Sequence, residues 1–347
     1  MVESKTMVAI PPGWTIKEQL EDRMLTQKEF ALRMELSEKH ISKLINGEVE
    51  LTTDVSYRLE MVLGIPASFW NNLEARYRET LKTIEIENNM NNDLELASKF
   101  PYKEMSNLGW IPMAKTKEEK VINLRKFFEV NSLSLIENER INIFCRRLSE
   151  NEKSDYVLLA LAQKAKLEAR KVDTNPININ GLKKRINEFR EMTRKKAIDF
   201  CKDLKEVLAK NGVVLVFLPQ IGGSFLHGIT FYEGKKIVLG LTVRGRDADK
   251  FWFSFFHEIA HIILGHLNQD YYEKMEDEAN DFAKEALIPT REFDSFVKIG
   301  RIDDESIIKF SNKIGIDSGI VVGRLQKEGI IPYSKYNELK KKYVLNV

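Results

Sequence analysis

The chain has 347 residues, 43% of them hydrophobic, with 54 Lys and Arg against 52 Asp and Glu. It is long enough for two or three units with their own cores, and a net charge of +2 selects neither nucleic acid nor membrane as a partner. Two cysteines, Cys145 and Cys201, are too few and too far apart for a disulfide framework or a cysteine-rich metal site. No apolar run is long enough to span a bilayer and the first residues lack a secretory layout, so the cytoplasm is the expected compartment.

In chain order, residues 12–80 give five short helices separated by turn signals. "TIKEQLEDRM" offers Thr15 as an N-cap, "TQKEFALRM" offers Thr26, and "LSEKHISKLINGE" offers Ser37, with a stop at Asn46-Gly47. "TTDVSYRLEMVLG" and "PASFWNNLEARYRETLKTIE" complete the bundle. The asparagine-rich "IENNMNNDLEL", residues 86–96, reads as a mobile linker. Residues 81–195 form a polar, helical middle region without a chemical motif. From 181 to 210 there are ten Lys/Arg against five Asp/Glu, which reads as a solvated face.

The period then changes. "GVVLVFLP", "FLHGITFY" and "KKIVLGLT" are apolar, β-branched runs, with a hairpin turn at Glu233-Gly234 between the last two. They predict a small, largely antiparallel sheet, one edge of which can pair with an extended peptide. The fold class is therefore α+β and predominantly α, in three parts: 1–80, 81–195 and 196–347.

The sheet leads into "FWFSFFHEIAHIILGH", an apolar helix that carries His257, Glu258 and His261. At about 100° per residue, positions four apart lie about 40° from each other, so the two imidazoles can converge on one ion. Glu258 points about 100° away from His257, a poor angle for a ligand and a good one for a general base beside the metal. A catalytic zinc site needs a third protein ligand. His266 is half a turn out of phase with His257 on an unbroken helix, and only a break at Gly265 redirects it. The following helix, "MEDEANDFAKEALIP", offers Glu278 as the preferred ligand, Glu276 as the alternative, and Asp281 as a supporting group. His227, Arg244 and Tyr232 stand open as donors to a developing oxyanion.

The stretch from His257 to His266, with "EDEANDFAKEALIP", "LTVRGRDADKFWF" and "GIVVGRLQKEGI", resembles the ImmA/IrrE family of zinc-dependent endopeptidases over about 150 residues. Ala260 stands where that family often has glycine. "TQKEFALRM", "SEKHISKLINGE" and "PASFWNNLEARY" resemble HigA-type antitoxins of the Cro-like helix-turn-helix class. Together they look like a helix-turn-helix regulator fused to a zinc peptidase. The resemblance implies a zincin-like fold in the last part, bound Zn2+, cleavage of a repressor-type protein, and an N-terminal helix-turn-helix domain. The alternative is an antitoxin or autoregulator whose zincin-like domain binds a toxin or senses a signal.

For DNA, the third helix would present Glu38, Lys39, His40, Ser42 and Lys43 in the major groove, with Gln27 on the backbone. The partner is a double-stranded operator bound by a homodimer, with half-sites about one helical turn apart. Residues 1–80 hold ten Lys/Arg against thirteen Asp/Glu, so the basic face must be local.

Overall fold

The structure, a computed structural model, describes residues 2–3, 7–88, 90–138, 144–145, 152–221, 228–242, 247–269 and 274–343. The chain divides into two compact units, 1–95 and 96–347.

In the first unit a short antiparallel pair, β1 (Val2–Glu3) and β2 (Val8–Ala9), precedes α1 (Pro12–Asp22), α2 (Gln27–Arg33), α3 (Glu38–Ile45), α4 (Thr53–Leu63) and α5 (Ala67–Asn88). α1 starts three residues before the expected cap at Thr15. Pro12 opens it, because a fixed φ suits the first turn and its missing N–H would have no partner there. Gly13 lets α1 lie on α3: a Cβ there would run into the backbone of Ile45 at its carbonyl oxygen. Thr26 closes a reciprocal capping box with Glu29, and the Ser37 hydroxyl accepts the His40 amide at 3.1 Å. Between α2 and α3, Glu35 takes a left-handed φ of 54° to make the turn. Ile16, Phe30, Ile41, Leu59 and Trp70 fill the core between these helices.

The expected linker at 86–96 is instead largely helical. α5 runs to Asn88, and α6 (Asn91–Lys99) begins three residues later, with Met90 and Asp93 buried. Polar composition suggested mobility, but Met90 and Leu94 supply apolar positions that composition averages away.

The second unit continues with α7 (Tyr102–Asn107), α8 (Lys117–Phe128), α9 (Ser134–Asn138), β3 (Phe144–Cys145), α10 (Glu152–Ala169), α11 (Ile179–Lys183), α12 (Ile186–Met192) and α13 (Ala197–Ala209). Next come strands β4 (Val213–Leu218), β5 (Gly228–Glu233) and β6 (Lys236–Thr242), then α14 (Ala248–Leu264), α15 (Lys274–Leu287), α16 (Thr290–Lys298), α17 (Asp304–Ile314) and α18 (Ser318–Lys327). The sheet order is β3-β5-β6-β4. β5 and β6 form a hairpin across a two-residue turn in which Gly234 has φ 59°. β6 then lies between β5 and β4 and runs parallel to β4, so the sheet is mixed: the β3–β5 and β5–β6 pairings are antiparallel, as in the largely antiparallel sheet expected, and the β4–β6 pairing is parallel. Hydrophobic runs set which segments are strands but not the order in which they lie.

Strand alternation gives the sheet two covered faces. Val214, Val216, Ile229, Phe231 and Val238 pack against Val157, Leu161 and Ala165 of α10. Leu215, Leu239 and Leu241 face the other way, with Phe200, Trp252 and Phe256. The sequence set 81–195 apart from both ends; in the structure α10 of that segment covers one face of the sheet. α14 lies under the opposite face and is buried almost throughout. Its first turns are tied down by the C-terminal segment: Trp252 Nε1 donates to the Tyr343 hydroxyl at 2.9 Å, and Lys340 pairs with Asp249 at 2.7 Å.

Candidate metal centre

His257 and His261 lie one turn apart on α14, and their Nε2 atoms are 3.1 Å from each other. Glu276, in the first turn of α15, brings its carboxylate oxygens to 3.3 Å from His257 Nε2 and 3.6 Å from His261 Nε2. Among the described residues, these three form the group able to hold a metal ion. A tetrahedral set with zinc bonds of about 2.0–2.2 Å has edges of roughly 3.3–3.6 Å, close to this triangle.

The surrounding hydrogen bonds orient both rings for that task. Asn280 Oδ1 lies 3.1 Å from His257 Nδ1; an amide oxygen accepts, so the proton sits on Nδ1 and the Nε2 lone pair faces the cluster. His266 Nε2 lies 3.1 Å from Glu278 Oε2 and therefore carries the proton, leaving its Nδ1 to accept from His261 Nδ1 at 2.9 Å. His261 Nε2 is thereby also left with its lone pair inward. Two imidazole lone pairs and a carboxylate converging in a buried space form an acceptor-only set, which a cation satisfies.

Glu278, the ligand preferred from sequence, is thus placed elsewhere: half exposed, against His266. Helix phase explains why sequence could not choose. Met275 and Ala279 are the buried stripe of α15 at that level, and Glu276 and Glu278 flank it by about 80° on opposite sides. The position of α14 decides which flank carries the site. Asn280, one turn after Glu276, falls on the same side. Asp281 lies on the other side of Asn280 and ion-pairs with Lys284 at 3.4 Å. His266 reaches the cluster because α14 does stop at Gly265, whose φ of 77° turns the chain back.

Glu258 is buried and does not join the triangle. Its Oε2 accepts from Thr230 Oγ1 of β5 at 2.5 Å. Gly228 makes room for it, since a Cβ there would lie 2.5 Å from the Glu258 carboxylate. Gly228, Thr230 and Tyr232 alternate onto the α14 side of β5. Thr230, Gly228 and Asn280 were not singled out from sequence. A glycine inside a strand signals close approach, and Asn280 four residues after Glu276 shares its face; these were the available clues. His227 and Arg244 lie outside the described residues, and Tyr232 is partly exposed.

On α3, Glu38, Lys39, Ser42 and Lys43 are exposed, as is Gln27 at the start of α2. His40 differs: it is half-buried, and its Nε2 is turned inward without a hydrogen-bond partner. Ile41, Leu44 and Ile45 hold the opposite side of α3 in the core.

This architecture defines a helix-turn-helix regulator domain joined to a metallopeptidase-family domain. Residues 16–70 match the helix-turn-helix family and residues 227–326 match the M78 peptidase family, described as the IrrE N-terminal-like domain. The uncharacterized HTH-type transcriptional regulator YddM of Escherichia coli (strain K12) is 31% identical over 77 residues, 22% of this chain and 82% of that protein. YbaQ of the same strain, also an uncharacterized HTH-type transcriptional regulator, is 35% identical over 86 residues, 25% of this chain and 73% of its own length. The chain belongs to the HTH-type transcriptional regulators, and it carries the peptidase-family domain in addition. No helix among the described residues is long and apolar enough to cross a membrane.

Proposed function

We propose that this chain is a DNA-binding regulator whose C-terminal unit is a zinc-dependent endopeptidase acting on an extended segment of a repressor-type protein. The observation that carries it is the triangle of His257 and His261, both buried, with the part-buried Glu276, and the Glu258 carboxylate held beside it by Thr230. A catalytic site keeps a base next to three protein ligands, whereas a structural zinc site closes with four ligands and needs no base.

His257 and His261, oriented by Asn280 and His266, together with Glu276 would hold the ion. Zinc bound there supplies a Lewis acid that polarises the scissile carbonyl and makes water acidic enough to attack it near neutral pH. Glu258 takes the proton from the attacking water on its carboxylate and delivers it to the leaving amine. Thr230 fixes the rotamer that makes this possible. Phe255, Phe256, Ile259 and Ala260, all fully buried, keep bulk water from the helix and strengthen the local electrostatics. Tyr232 is the described candidate to donate to the carbonyl oxygen.

In the N-terminal unit, α3 would lie in the major groove, with Lys39 and Lys43 on phosphates and Ser42 at base edges, and Gln27 on the backbone. A homodimer fits an operator of two half-sites. The test is to incubate zinc-loaded protein with repressors encoded beside it and map fragments by mass spectrometry. Cleavage should occur with the parent chain and be lost in Glu258→Gln, which should retain its metal. If no partner is cut while Glu258→Gln regulates normally, the peptidase reading fails and a toxin-binding or sensing role for this unit stands.

A further inference from the structure

Between α12 and α13 the chain runs Arg194-Lys195-Lys196, and after α18 it runs Lys340-Lys341-Lys342. The fold lays these two basic runs side by side. Lys341 Nζ donates to the Arg194 carbonyl oxygen at 3.3 Å, across 147 residues of chain. One turn into α13, Phe200 meets Tyr343, the residue after Lys342, with ring centroids 5.0 Å apart. The backbone beneath both runs is fixed. Thr193 is buried, and its hydroxyl donates to the Arg190 carbonyl oxygen at 2.6 Å and accepts the Asp317 amide at 3.1 Å. Lys342 forms an antiparallel bridge with Asp247, at the start of α14. Acids neutralise part of the charge: Lys195 pairs with Asp203 at 2.6 Å, Lys341 with Asp317 at 2.7 Å and Lys340 with Asp249 at 2.7 Å, while Asp199 lies exposed in the first turn of α13. Arg194, Lys196 and Lys342 are exposed and have no ion-pair partner among the described residues; Arg194 reaches the neutral side-chain oxygen of Asn312 at 3.3 Å. Uncompensated cations held on adjoining backbone repel one another, and a polyanion relieves that repulsion.

We propose that Arg194, Lys196 and Lys342 form a second duplex-DNA surface, on the unit that carries the candidate metal centre, and that it contacts phosphates without reading sequence. Phosphate contacts supply most non-specific affinity for DNA, and positive charge is what they require. That charge is scarce in the helix-turn-helix part: residues 1–80 hold ten Lys and Arg against thirteen Asp and Glu, whereas residues 81–347 hold 44 against 39. By composition, residues 181–210 read as a solvated face; the C-terminal lysines beside them are what the fold adds. The consequence is that the metal-bearing unit is itself held on DNA, where a repressor-type substrate is also bound. That consequence rests on the proposed function, but the contact is measurable without any cleavage.

The experiment uses the full chain and a fluorescent mixed-sequence duplex of about 30 base pairs, with anisotropy read between about 50 and 200 mM salt. Arg194→Gln with Lys196→Gln and Lys342→Gln removes three exposed charges and leaves the core untouched. It should weaken duplex binding by about tenfold or more and reduce the slope of log K against log salt by up to roughly 3. The same reduction should appear in a chain that already carries Lys39→Ala and Lys43→Ala. Lys196→Arg with Lys342→Arg keeps the charge and should bind as the parent does. Lysine acylation of the parent chain, mapped by mass spectrometry, supplies an arm independent of variant folding. Saturating duplex should protect Lys196 and Lys342 but not Lys235, which stands on the β5–β6 turn beside the chain that leaves the other end of α13. Unchanged affinity and slope in the triple-Gln chain in both backgrounds, or equal acylation of Lys196 and Lys342 with and without duplex, overturns the inference. Polyglutamate that displaces the probe as well as unlabelled duplex does, at equal charge, overturns the assignment to DNA. Loss of binding in the triple-Gln chain alone, with the α3 substitutions silent, would reject the α3 reading and leave this surface in place.

Discussion

Replacing Gly228 by Ala tests whether the candidate base is held in position by the close approach of β5. A Cβ at this position would lie 2.5 Å from both Cγ and Oε1 of Glu258, whereas ordinary contact begins at 3.4 Å, so the carboxylate must retreat by about 0.9 Å. The φ of Gly228 is not in the left-handed region, so alanine keeps the strand and the effect falls on Glu258. Overpacking of this kind costs about 1–3 kcal/mol, and the melting temperature should fall by a few degrees. A misplacement of about 1 Å at a reacting group costs about 10²-fold in rate, so kcat/KM for the proposed repressor-type substrate should fall by about that factor. Bound zinc, measured by elemental analysis, should be unchanged because no ligand moves. Thr230→Val, which removes the hydrogen bond without adding bulk there, should also lower kcat and leave zinc in place. Full cleavage activity in Gly228→Ala would refute the role given to Glu258 and its setting.

The two glutamates of α15 should separate cleanly: Glu276→Gln should lose stoichiometric zinc, while Glu278→Gln, which only supports His261 through His266, should weaken zinc binding by about 10–100-fold at most. The reverse ranking in metal titrations would return Glu278 to the ligand set. On the DNA side, Lys39→Ala with Lys43→Ala should weaken operator binding and reduce the slope of log K against log salt by up to roughly 2, the loss of two phosphate contacts. An unchanged slope would remove α3 from the interface. Burial pushes the Cys201 thiol up to about 11, so the protonated form persists at neutral pH. Alkylation of Cys201 at pH 8 should run about 100-fold slower than for an ordinary exposed thiol and accelerate about tenfold per pH unit towards 11; fast labelling at pH 8, mapped by mass spectrometry, would contradict its burial.

The sequence alone determined the features that local periodicity and chemistry impose. His257 and His261 share a face because a helix turns every 3.6 residues, whatever surrounds it. Thr26 and Ser37 cap their helices through contacts three residues away, and Gly47 stops the third helix by the backbone freedom of glycine. Each of these needs only neighbours in the chain. The features that sequence left open depended on neighbours far along it. Glu276 and Glu278 flank the same buried stripe symmetrically, and only the packing of α15 on α14 placed Glu276 at the histidines. The partner of Glu258 is Thr230, 28 residues away and reached only because β5 lies over α14. The parallel pairing of β4 with β6 and the covering of β5 by residues 144–145 are likewise choices of strand order. Strand order is set by which faces α10 and α14 bury, a property of the assembled unit that no window of sequence contains.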